Sequence, residues 1–179
     1  MLPLAGTADI ALADKVSTGD RRVLPPEIRE FKSPSGDFVL TLSTSDHWKT
    51  RYANASLVEH DGTQSQQRWQ QTLPHQHGPR HVLVTNAGAV VLADEWINIP
   101  SRRALMLIAP DGKILAQYSL DQLIETLGVS RKDITPNARH GIWLGALPAV
   151  SDDGSAVLLE AGGRHLRMSL ADGALTVVD

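Results

Sequence analysis

One pattern occurs three times in this chain. A turn glycine opens a short apolar strand, a loop follows, and a second apolar run ends at Asp-Gly. The openings are Ser33-Pro34-Ser35-Gly36-Asp37-Phe38-Val39-Leu40, Asn86-Ala87-Gly88-Ala89-Val90-Val91-Leu92 and Ser151-Asp152-Asp153-Gly154-Ser155-Ala156-Val157-Leu158. The closings are Leu57-Val58-Glu59-His60-Asp61-Gly62, Leu107-Ile108-Ala109-Pro110-Asp111-Gly112 and Ser169-Leu170-Ala171-Asp172-Gly173. From opening to closing glycine the spans are 26, 24 and 19 residues, so the loops vary while the strands persist. Self-similarity at a long period is the signature of a repeat architecture, whose loops absorb insertions.

Each unit resolves into four strands. In the first they are Ile28 to Lys32, Phe38 to Leu42, Asn54 to Glu59 and Gln67 to Leu73. The second gives His81 to Thr85, Val90 to Ala93, Ala104 to Ile108 and Ile114 to Leu120. The third gives Ile142 to Leu147, Ala156 to Leu159, Leu166 to Leu170 and Leu175 to Val178. The turns follow from chemistry: glycine accepts positive φ, and Pro110 presets the first turn residue of Pro110-Asp111-Gly112. One segment departs from the β pattern. Leu120, Leu123, Ile124 and Leu127 have helical spacing, with Ser119 as N-cap and Gly128 as stop. Val129 to Asn137 then reads as connector. The fold class expected is all-β: three four-stranded antiparallel meanders, propeller-like blades, with one short helix inserted. Residues 1–20 are expected to be a flexible N-terminus or signal remnant, and residues 21–179 a single β-repeat domain.

Composition narrows the function classes. A net charge of −3, from 17 basic and 20 acidic side chains, leaves no electrostatic footprint for nucleic acid. No apolar stretch is long enough for a membrane span. With no cysteine, thiol nucleophiles, disulfides and cysteine-type zinc sites are excluded. Ala11-Leu12-Ala13 before Asp14 has the form of a signal-cleavage site, but no basic residue precedes the apolar stretch and Asp9 interrupts it. A periplasmic or secreted bacterial protein is expected, with a cytoplasmic one the alternative.

Four-stranded meanders in series build β-propellers. The Ser-Pro-Ser-Gly and Ser-Asp-Asp-Gly openings resemble the Ser-Pro-Asp-Gly repeats of WD40-like, TolB-type bacterial propellers, over residues 27–179. That resemblance implies blades and a binding role. The chain departs from the family in lacking a regular Trp-Asp ending and in supplying three units, where a closed ring has four to eight.

Meander topology sorts the loops between two ends. Short glycine turns gather at one. The loops between second and third strands and those between units gather at the other. That second end carries Asp46-His47-Trp48-Lys49-Thr50-Arg51, Pro74-His75-Gln76-His77-Gly78-Pro79-Arg80, Asp94-Glu95-Trp96-Ile97-Asn98 and Arg139-His140. Trp48 and Trp96, twelve and eight residues after their opening glycines, either form an aromatic platform with Arg80, Asp94 and Glu95 or pack between blades. Trp69 and Trp143 read as core strand residues. His75 and His77 are two apart, a spacing that on a strand points both imidazoles one way, and with His140 they are the candidate metal ligands. Nothing in the chain forms a nucleophile elbow or a phosphate loop.

The leading expectation is therefore a non-enzymatic binding or scaffold module without cofactor, taking a protein or small-molecule ligand at the tryptophan end. A homodimer is expected from the edges that three units leave open. The rival is a metal-dependent, lactonase-like hydrolase holding a divalent ion with His75, His77 and a loop carboxylate.

Overall fold

The computed structural model describes residues 23–97 and 99–178. The Ala11-Leu12-Ala13 element and the expected N-terminal remnant lie outside the described residues. The first sheet holds β1 (Ile28–Lys32), β2 (Phe38–Ser43), β3 (Tyr52–Asp61) and β4 (Gln64–Gln76). The second holds β5 (Pro79–Val84), β6 (Val90–Glu95), β7 (Leu105–Ile108) and β8 (Ile114–Tyr118). Two helices, α1 (Leu120–Leu127) and α2 (Arg131–Asn137), precede the third sheet of β9 (Ala149–Val150), β10 (Ala156–Ala161), β11 (Arg164–Ser169) and β12 (Leu175–Val178). Within each sheet the strands pair antiparallel in chain order.

Strand alternation explains how the sheets stack. Val90, Leu92, Met106 and Ile108 of the second sheet share a core with Phe38, Leu40, Leu42, Ala55, Leu57 and Trp69 of the first. Their neighbours Val91, Ala93, Leu105 and Leu107 face the other way. They share a second core with α1, Trp143 and the third sheet's Val157, Leu159, Leu166 and Met168. The middle sheet is thus buried on both faces, which is why β6 and β7 read as unbroken apolar runs. Among the described residues neither core joins the first sheet to the third, so the three described sheets form an open stack.

Helix α1 forms where its spacing puts it. Ser119 accepts from the Gln122 N–H, the Gln122 side chain caps the Ser119 N–H in return, and Gly128 closes the helix in the left-handed region. Leu120, Leu123 and Leu127 are buried against the second core.

Two expectations fail here. The connector contains α2, held at its start by Ser130 and Asp133, whose carboxylate accepts from both the N–H and the hydroxyl of Ser130. The third unit's opening strand is Ala149–Val150, not Ile142 to Leu147. Residues 142–147 form an irregular plug in which Arg139 and His140 both donate backbone N–H to the Leu144 carbonyl. Trp143 and Leu144 are fully buried there. A short apolar run does not distinguish a strand from a core plug.

The closing turns seat the sheets. At Gly173, φ is +77° and a Cβ would collide with the Cβ of Ala116 on β8, whereas Gly154 at φ +68° faces open space. Gly154→Ala is therefore expected to cost about 1 kcal/mol for left-handed backbone. Gly173→Ala adds overpacking of about 1–3 kcal/mol. Denaturant midpoints of the two variants check the difference.

Candidate functional site

The loop end is where backbone strain collects. Among the described residues, the non-glycine positions with positive φ are His47 (56°), Trp48 (62°), His77 (57°) and Asp94 (56°). All four belong to this end. Such conformations cost free energy and persist only where the surroundings impose them. Around Trp48 the constraint is a side-chain-locked turn. The Thr44 hydroxyl donates to Asp46 and accepts from the Trp48 N–H, while Asp46 accepts from the Thr50 N–H.

Trp48 is buried, and its ring meets that of His77 at 5.7 Å between centroids. Trp96 is half-buried, and its backbone N–H donates to the Gly78 carbonyl at 2.9 Å. The Arg29 guanidinium lies 4.8 Å from the Trp96 ring centroid and donates to the Pro79 carbonyl at 2.9 Å. Burial brings that guanidinium down to about 10. Gly78 takes left-handed backbone at φ +78°, which favours glycine, and a Cβ there would stand 2.9 Å from Arg29 Nη2.

The two indoles hold the same piece of chain. Trp96 Nε1 donates to the Val23 carbonyl at 2.7 Å, and Trp48 Nε1 donates to the Pro25 carbonyl at 2.9 Å. Two residues on, the Thr44 N–H bonds the Glu27 carbonyl at 3.0 Å, and the Glu27 carboxylate meets His47 Nδ1 at 2.5 Å. The hydrogen bond to Glu27 and its negative charge raise the His47 imidazole. Carbonyls 23, 25 and 27 thus all face the loop end, the period of an extended chain. Leu24 and Pro26 between them are exposed.

Beneath this surface lies a polar interior. Asp94 is buried, and neither carboxylate oxygen has a hydrogen-bond partner among the described residues. Burial pushes its carboxyl up to about 7; the Ile142 N–H, the Trp143 indole and the Arg80 charge temper the rise, the first two without reaching hydrogen-bond geometry. Gly141 packs directly on Asp94, leaving no room for a Cβ beside Oδ2. Glu95, also buried, pairs with Arg103 at 3.4 Å. His81 Nε2 bonds the His140 carbonyl, and the two imidazoles meet edge to face at 6.4 Å.

The candidate metal ligands are distributed differently from the sequence expectation. His75 is fully buried on β4 beside Arg103, and burial followed by that cation draws its imidazole down to about 4. β4 ends at Gln76, and His77 takes left-handed backbone with its N–H on the Arg51 carbonyl at 2.5 Å. Strand alternation therefore does not carry from His75 to His77. His140 packs with His81. Among the described residues no group of three or more histidine, aspartate and glutamate side chains is placed to hold a metal ion. Of the expected platform, Trp48, Trp96, Asp94 and Glu95 share the loop end, and Arg80 stands beside Asp94 at half exposure. Arg29, Thr44 and the segment 23–27 are the participants that sequence reasoning missed. The Pro25-Pro26 pair, which favours an extended chain, was the available signal.

A shallow concavity of about 180 Å³ lies elsewhere, lined by Ala146, Leu147, Ala149, Leu158, Glu160 and His165. It is smaller than the ~300–1,000 Å³ of ordinary small-molecule pockets. Compared with models of known protein families and with curated protein sequences, the chain matches none.

Proposed function

We propose that this chain is a non-enzymatic, β-propeller-like binding module that takes a protein partner at the end carrying Trp48 and Trp96. The observation that carries this reading is the concentration at one end of two indole donors, a stacked arginine and every left-handed non-glycine residue described. Rigid sheets carrying irregular, strained loops are the usual arrangement of a recognition surface. The three meanders are its blades, of the WD40-like, TolB-type repeat, and export to the periplasm or beyond suits a chain of this kind.

Among the described residues nothing covers the outer face of the third sheet. Leu158 and Val178 stand exposed on it beside Leu147. A second copy covering this face accounts for them, so the module acts as a homodimer.

Selection of a random-peptide display library against the full chain tests the binding role, with Trp96→Ala as the counter-target. Enriched sequences that bind the native chain and not the variant are expected. A selection in which nothing enriches, or in which both targets enrich alike, contradicts the reading.

A further inference from the structure

We infer that the Trp48–Trp96 surface is a receptor for extended, proline-bearing peptide segments, and that residues 23–27 are its resident occupant. This rests on the binding reading above and names its partner class.

The contacts already on the protein define what such a site reads. Three successive odd-numbered carbonyls, of Val23, Pro25 and Glu27, accept hydrogen bonds at 2.7, 2.9 and 3.0 Å. Two of the donors are side chains, not the edge of a strand. A segment held in this way needs acceptors in register and offers few N–H groups in return. Proline meets that requirement, because it has no N–H and its fixed φ keeps the chain extended before binding. Aromatic grooves with indole donors are the general solution for such ligands. Pro25 is buried among these contacts, whereas Val23, Leu24 and Pro26 expose their side chains, so most of the recognition is of backbone. His47 adds a preference for a carboxylate two residues after the buried proline, through its contact with Glu27.

Among the described residues, the segment is joined covalently to the fold through its continuation into β1. Its hold is therefore a tethered ligand's hold, strong because its local concentration is in the millimolar range. A partner peptide of the same chemistry must displace it, and weakening the resident should open the site.

The experiment follows the four indole N–H signals of the ¹⁵N-labelled full chain. Trp48→Phe and Trp96→Phe assign two of them. The probe is the acetylated, amidated pentapeptide Val-Leu-Pro-Pro-Glu, titrated into the native chain and into Pro25→Gly/Pro26→Gly. Val23→Gly/Leu24→Gly, which alters only exposed side chains, serves as the second opened variant. The glycine variants are expected to shift the Trp48 and Trp96 signals and leave those of Trp69 and Trp143. The peptide should return them toward their native positions, with at least tenfold tighter binding than the native chain shows. Equal binding to native and opened chains overturns the proposal, as do unmoved indole signals in both variants. Opened variants whose Trp48 and Trp96 signals return toward their native positions with rising protein concentration, and no peptide added, assign the site to a second copy and also overturn it. Display selection that enriches proline-free sequences dependent on Trp96 leaves the binding reading intact and removes this inference alone.

Discussion

Trp48→Ala is expected to destabilise the fold by about 3–5 kcal/mol, the usual cost of truncating a large buried aromatic. The indole is buried, touches His77, and holds the Pro25 carbonyl. Trp96→Ala is expected to cost far less, about 1–2 kcal/mol, since the ring is half-buried and what it loses is one exposed hydrogen bond and the stacked Arg29. Sequence position makes the two tryptophans counterparts. Their surroundings divide the work between them: Trp48 serves packing and contact together, Trp96 mainly contact. Thermal and denaturant melts of both variants decide the point. Equal, large losses would reduce Trp96 to a packing residue and remove the support for a recognition surface.

Asp94→Asn is expected to stabilise the protein at alkaline pH, by an amount that shrinks on acidification. The folded carboxyl titrates at about 7, above its ordinary value near 4. The stability linked to it is fully present below the unfolded value and lost as pH rises through 7. A displacement of that size corresponds to about 4 kcal/mol. His75 acts with the opposite sign: its folded value of about 4 makes stability fall as pH drops from about 6.5 toward 4. Between pH 4 and 6.5 the native chain carries both slopes, which offset each other. In the Asp94→Asn variant the His75 slope remains without that offset. Urea midpoints of native and variant at pH 4.5 and pH 8 give the measurement. A gap in stability that stays constant between the two pH values contradicts the buried, unpartnered carboxyl.

The sequence conveyed the strands better than the site. Glycine turns at Gly36, Gly88 and Gly154 mark strand beginnings because positive φ there has few other solutions, and the strands after them fall where expected. The signal fails where polarity carries no period. β4 begins at Gln64, yet Gln64-Ser65-Gln66-Gln67-Arg68 has no apolar alternation to announce it. It fails again at Ile142-Trp143-Leu144, apolar because it plugs a core and not because it is a strand. At the site, meander parity was enough to bring Trp48, Trp96, Asp94 and the histidines to one end. It could not supply what depends on tertiary placement. The left-handed turn at His77, the burial of Asp94 and the path of residues 23–27 across both indoles are set by groups distant in sequence.

In the proposed receptor the indole N–H of Trp96 reads a peptide carbonyl, as it reads that of Val23. Trp96→Phe keeps an aromatic ring for Arg29 and removes the donor, so it isolates that contact. With the Pro25→Gly/Pro26→Gly chain as background, the affinity for Val-Leu-Pro-Pro-Glu should fall about five- to tenfold in the Phe variant, the worth of one hydrogen bond. An affinity unchanged by the loss of the donor would contradict it.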